Sequence, residues 1–202
     1  MGSESTTSPR RKPRQKRGER RVADLVSAAA CEFAQVGYEA ATMSAIAKRA
    51  AASIGSLYQF FPNKESLARA LRTQYVREYE QLCEPLEAQV KSMSIEQLAA
   101  SLVALMVEFG RRHPAFLNLV EAPSTTRLPE ARERHRQWIA RLLRAHSPQV
   151  SAAKSVSIAT VVMQLNRAML ALYAQSPPEQ RQWVVEEANI VLSAYLKARL
   201  RE

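Results

Sequence analysis

The sequence predicts an all-α fold in which short helices near the N-terminus lead through one long helix into a second helical domain. Three observations predict it. Only five glycines occur among 202 residues and the ten prolines fall mostly between periodic runs, so the turn density of a many-stranded sandwich or barrel is missing. Apolar residues recur with a 3.6-residue period over most of the chain. Serine, threonine or asparagine stands ahead of many of these runs, where an N-cap side chain accepts the first free amides. A chain of 202 residues can bury a real core in one or two domains.

The first 18 residues precede any such run. Up to Arg21 eight cations face only Glu4 and Glu19, so six of the ten net positive charges lie in the first 21 residues. With Gly2, Ser3, Thr6, Thr7, Ser8, Pro9 and Pro13 interspersed, residues 1–18 are expected to form a disordered basic arm. Arg14, Lys16 and Arg17 are its candidates for duplex phosphates or the minor groove, and a merely solubilising tail is the plainer alternative. No apolar segment follows these charges as a secretory signal requires. Gln164 and Arg167 interrupt the longest apolar run, which leaves no uninterrupted stretch of the roughly 18–20 residues that spans a bilayer. A cytoplasmic protein without membrane association is expected. Cys31 and Cys83 lie in separate helical patterns at no metal-ligand spacing, so each is read as a reduced, buried thiol.

The first helix carries Val22, Leu25, Val26, Ala29, Phe33 and Val36 on one stripe, and Gly37 ends it. Thr42 suits an N-cap for a short second helix with Met43, Ile46, Ala47 and Ala50. Ala51 and Ala52 make the break. Ser53 caps a third helix over Ile54–Phe60, and Pro62 bars its continuation. Asn63 caps a long fourth helix with Leu67, Leu71, Tyr75, Tyr79 and Leu82 on its buried stripe, and Pro85 is expected to bend or break it.

Two short helices flanking a tight turn can lay the tip of the second in a major groove. There Gly55 permits close approach to a duplex, Ser53 and Ser56 can hydrogen-bond to phosphates or bases, and Ile54 offers an apolar contact to a thymine methyl. Helix–helix packing is the alternative for Gly55. Thr42 presents a hydroxyl and a helix N-terminus to a phosphate, or serves only as a cap. Lys48 adds a phosphate contact or a solvated charge, while Phe33, Ile46, Leu57 and Phe61 face the core.

Residues 20–80, above all T-M-S-A-I-A-K-R-A followed by S-I-G-S-L-Y-Q-F-F-P-N-K-E-S-L, resemble the TetR family of transcriptional regulators. The resemblance covers about a third of the chain and implies a homodimeric repressor of a palindromic operator, responsive to a small molecule. It places Tyr58 and Lys64 at phosphate-contacting positions. Two residues depart from the pattern. Ala51 stands where the family commonly has a glycine at positive φ, and Phe60 where it often has a His or Tyr that donates to phosphate. Residues 19–65 are thus assigned to a helix-turn-helix DNA-binding domain and residues 66–202 to a helical domain for ligand binding and dimerisation.

Beyond residue 85 only helical amphipathicity remains. Ser94 and Gln97 make a capping box, and Gly110 can end the helix they open. Pro114 starts a short helix, residues 123–128 form a loop, and Pro129 opens a helix whose arginines are read as a solvated face. Ser147–Pro148 and Ser176–Pro177 are read as N-cap and N1 pairs for the last two helices. Those helices are apolar on too many sides for a monomer surface. Val161, Leu165, Trp183, Ile190, Val191 and Ala194 are the candidates for a two-fold interface, one thick internal core being the alternative.

Tyr79, Met106, Phe109, Phe116, Trp138 and Gln164 are the candidates for an effector pocket, or simply core, and nothing in their spacing fixes the effector's charge. No cofactor and no metal are expected. His113, His135 and His146 stand 22 and 11 residues apart, without metal-ligand spacing, and no phosphate loop or nucleophile elbow occurs. An enzyme is therefore not expected. The competing readings are an enzyme whose catalytic groups meet only on folding and a helical adaptor that binds proteins through the basic arm.

Overall fold

A computed structural model describes residues 13–120 and 128–200. Among them the chain forms helices and no strand: α1 (Pro13–Ala40), α2 (Met43–Arg49), α3 (Ile54–Phe60), α4 (Lys64–Gln89), α5 (Ile95–Arg112), α6 (Pro114–Val120), α7 (Pro129–His146), α8 (Ala152–Gln175) and α9 (Arg181–Leu200). Short 3₁₀ turns at Val90–Ser92 and Pro178–Gln180 lead into α5 and α9.

The caps lie where the sequence puts them. Thr42, Ser53, Asn63 and Ser94 each accept the amide three residues on, and Asn63 and Ser94 complete capping boxes with Ser66 and Gln97. Gly37, at φ 78°, interrupts α1 and lets one further turn follow to Ala40.

Several expectations are corrected. From Pro13 the chain is helical, so Arg14, Lys16 and Arg17 belong to the first turns of α1 and not to a structureless arm; residues 1–12 lie outside the described residues. Pro85 neither breaks nor ends α4, which continues to Gln89. Gly110 does not end α5, which continues to Arg112. It allows close packing instead: a Cβ there would stand 2.7 Å from the Leu117 side chain. Ser147 closes α7 through its amide to the Leu143 carbonyl, and Ser151, not Ser147, caps α8 by accepting the Lys154 amide at 3.2 Å. Ser176 likewise ends α8, and α9 begins only at Arg181. The loop expected at 123–128 lies, up to Leu128, outside the described residues.

Two cores organise the chain. One gathers α1–α3 with Leu67, Leu71 and Tyr75 of α4, then takes in Phe109, Ala115 and Leu119 from α5 and α6. Phe33, Ile46, Leu57 and Phe61 are buried in it as expected. The other joins the end of α4 to α5, α7, α8 and α9. Within it α8 packs along α7 and α9, although by length and mean hydropathy that helix is apolar enough to cross a bilayer. The head core therefore reaches into the second domain through α6, which lies along α1.

Candidate nucleic-acid interface and interior cavity

The turn between α2 and α3 is held by backbone bonds: the Ala51 amide donates to the Lys48 carbonyl at 3.1 Å and the Ala52 amide to the Ala47 carbonyl at 2.9 Å. To close it Ala51 adopts φ 47°, so alanine keeps the left-handed conformation that a glycine would take at less cost. Arg49 fixes the head from the other side. Its guanidinium is 3.1 Å from the buried Glu32 carboxylate and also donates to Gln35, which ties α2 to α1.

From this base α3 projects. Leu57 anchors it with no exposure, while Ile54, Tyr58 and Phe60 are 42%, 50% and 39% exposed. Nothing lies within 4 Å of the Cβ that Gly55 lacks, so helix packing does not explain the glycine. Ser53 and Thr42 accept amides from Ser56 and Ala45 at 3.1 Å each, leaving their hydroxyl protons free to donate outward. Ser56 is half-buried, and Lys48 is exposed on α2. Lys64 turns inward instead: its ammonium donates to the Glu39 carbonyl at 2.8 Å and sits 4.6 Å from the centre of the Tyr38 ring. A phosphate would have to draw it away from the end of α1. Lys16 and Arg17 are exposed on the first turns of α1.

A cavity of about 250 Å³ lies among α4–α8. Of the six residues expected to line a pocket, Tyr79, Met106, Phe109, Phe116 and Gln164 do so. Trp138 does not. It is buried one layer back, stacked at 5.4 Å on His135, which takes the place at the wall. The floor is an edge-to-face aromatic cluster in which Phe109 meets Tyr79 at 5.2 Å and Phe116 at 5.0 Å.

Sequence reasoning missed the polar half of the lining: Arg72, Arg132, His135, Asn166 and Arg167. Arg132 is exposed, as expected of the α7 arginines, and also lines the cavity. Of these only Arg167 carried a signal, since it interrupts the apolar run of α8 just as the expected Gln164 does, and both line the cavity. Burial holds His135 neutral by lowering its pKa to about 4, and burial also raises the Tyr79 phenol well above its ordinary value. No cluster of His, Cys, Asp and Glu among the described residues could hold a metal ion. Cys83 is buried and pushed up to about 12 by desolvation, whereas Cys31, expected to be buried, is exposed.

Away from the cavity, α8 and α9 expose Val161 (39%), Leu172 (42%), Trp183 (54%) and Ile190 (59%). Ala194 is also exposed, and Leu165 and Val191 are half-buried.

The family model described as bacterial regulatory proteins, tetR family, matches residues 25–71. One described as tetracyclin repressor-like, C-terminal domain, matches residues 94–196. The uncharacterized HTH-type transcriptional regulator YhgD of Bacillus subtilis (strain 168) is 30% identical over 97 residues, 48% of this chain and 50% of that protein. The match thus spans about half the length of that curated relative. A TetR-family transcriptional regulator from Streptomyces coelicolor shares the fold at 24% identity and a TM-score of 0.60, over 89% of this chain and 99% of that one. A TetR transcription regulator from Haloarcula marismortui ATCC 43049 shares it at 13% identity and a TM-score of 0.67, over 90% of this chain and 99% of its own.

Proposed function

This chain belongs to the TetR family of bacterial regulatory proteins, and from that premise we propose that it is a DNA-binding transcriptional repressor. It acts in the cytoplasm as a homodimer on a palindromic operator and is released by a small molecule held in the cavity. The observation that carries the reading is the free tip of α3: a short helix anchored by Leu57 alone, with Ile54, Gly55 and Tyr58 turned outward and open space beside Gly55. Thr42, Ser53, Lys48, Tyr58 and a released Lys64 serve phosphates, while Ile54 and Ser56 read base edges. Arg14, Lys16 and Arg17 add charge beside the groove from the start of α1. Effector binding is coupled to the heads through α6, which carries Phe116 at the cavity and lies along α1.

The test is Gly55→Leu. A Cβ there has no neighbour within 4 Å and the change replaces a helix-weakening glycine at a gain of up to about 1 kcal/mol, yet the side chain fills the space a duplex would occupy. Fluorescence anisotropy with operators selected from a random duplex pool should show binding by the natural chain that weakens steeply with salt, and loss of that binding in a fully folded Gly55→Leu variant. No affinity at low ionic strength, or an unchanged variant, overturns the proposal.

A further inference from the structure

The charged groups around the cavity are unbalanced. Among the described residues Arg72, Arg132 and Arg167 line it beside one carboxylate, Glu80, which already accepts from Arg134 at 3.1 Å; Arg72 is engaged elsewhere. Arg72 donates to the Leu119 carbonyl. Arg132 and Arg167 have no acidic partner among the described residues. Asn166, only 8% exposed, brings an amide to the same lining. The opposite wall is aromatic and aliphatic: Tyr79, Met106, Phe109, Phe116, Met163 and Leu170.

We propose that the cavity binds a compact organic anion, an apolar body ending in one carboxylate-like group, with the acid held by Arg132 and Arg167 and the amide of Asn166. A guanidinium matches a carboxylate with two parallel N–H donors, and the Asn166 side-chain amide in the same lining can donate a further hydrogen bond to it. Among the described residues an organic cation would find no free acid in this lining, and a neutral ligand would leave the half-buried Arg167 without a counter-charge. The volume sets the size: about 250 Å³ lies at the small end of ordinary ligand sites, so the body is a medium alkyl chain or a single ring with a short linker.

This proposal rests on the regulator reading only in calling the anion an effector. It is tested by titration calorimetry on the full chain without DNA, using octanoate and 3-phenylpropanoate beside 1-octanol and octylamine. At least one carboxylate should bind at least tenfold more tightly than the alcohol, with the amine weaker still. Arg167→Gln should weaken the carboxylate tenfold or more and leave the alcohol unchanged, while Arg167→Lys should restore most of the loss. Alcohol or amine binding as tightly as either carboxylate, no carboxylate binding at millimolar concentration, or indifference to both Arg132→Gln and Arg167→Gln overturns it. The ligand comparison on the natural chain needs no variant to fold. Failure to bind DNA would remove the regulator reading and leave the calorimetric result standing. DNA binding without carboxylate binding would remove only the ligand class.

Discussion

At Ala51 one residue carries the cost of the turn between α2 and α3. Alanine at φ 47° bears the steric penalty of a left-handed backbone, about 1–2 kcal/mol, and its methyl is exposed, so burial offsets little of it. Ala51→Gly relieves that strain at the expense of a more flexible unfolded chain, an opposing effect of about 0.4–1 kcal/mol. The net expectation is a gain of up to about 1.6 kcal/mol, seen as a Tm higher by up to about 6 °C; a lower Tm would show that the turn is not strained. His135 makes a second prediction at this scale. Its ring faces Tyr79 and Trp138, and the same lining holds Arg72, Arg132, Arg167 and Glu80. The unfolded chain takes up its proton near pH 6.5 and the folded chain only near pH 4. Between those values the unfolded state holds more protons, so stability falls as pH drops through the window, by about 3 kcal/mol in all. Chemical denaturation of His135→Gln at pH 7 and pH 4 should show that much less acid sensitivity than the natural chain, and equal slopes would refute the assignment.

Among the elements, α6 links the cavity to the head. Gly37 interrupts α1, and Asn118 of α6 reaches the turn just before it, its amide nitrogen donating to the Phe33 carbonyl at 2.6 Å and the Ala34 carbonyl at 3.2 Å. Asn118→Ala removes both bonds in a half-buried setting and should cost about 1–2 kcal/mol, a fall in Tm of roughly 2–8 °C for a chain this long. It should also weaken the effect of a cavity ligand on DNA affinity, and a variant with both quantities unchanged would exclude α6 as the link. The same contrast shows what the sequence makes legible. Caps at Thr42, Ser53, Asn63 and Ser94 are readable because donor and acceptor lie three residues apart. Ser147–Pro148 misleads because Ser151 competes with it within one turn and takes the cap. Asn118 and Phe33 are 85 residues apart, and the arginines at the cavity come from α4, α7 and α8; such meetings depend on packing that no local pattern encodes. The aromatic floor was legible as inward stripes, whereas Arg132 and Asn166 look like any other polar residues on their helices.

For the whole molecule, α9 presents apolar residues in two directions. Val184, Ala188, Leu192 and Leu196 are buried, while Trp183 and Ile190 remain more than half exposed, and Val161 and Leu172 of the adjoining α8 are exposed as well. Large apolar side chains gathered in this way on a monomer surface mark a contact with another molecule. A two-fold partner would bury the same residues from both sides. It would also set two α3 tips at the separation a palindrome requires, one helical turn of about 34–36 Å or a multiple. Ile190→Glu tests this, since it places like charges opposite one another in a symmetric contact, yet at 59% exposure it disturbs little inside the monomer. Sedimentation at micromolar concentration should give a dimer for the natural chain and a monomer of unchanged helicity for the variant. Tethering two heads makes the second contact intramolecular, so the variant should lose affinity for a two-half-site duplex on the order of tenfold or more while binding a single half-site as before. A natural chain that sediments as a monomer, or an Ile190→Glu variant that keeps both dimer and affinity, would move the interface away from these two helices.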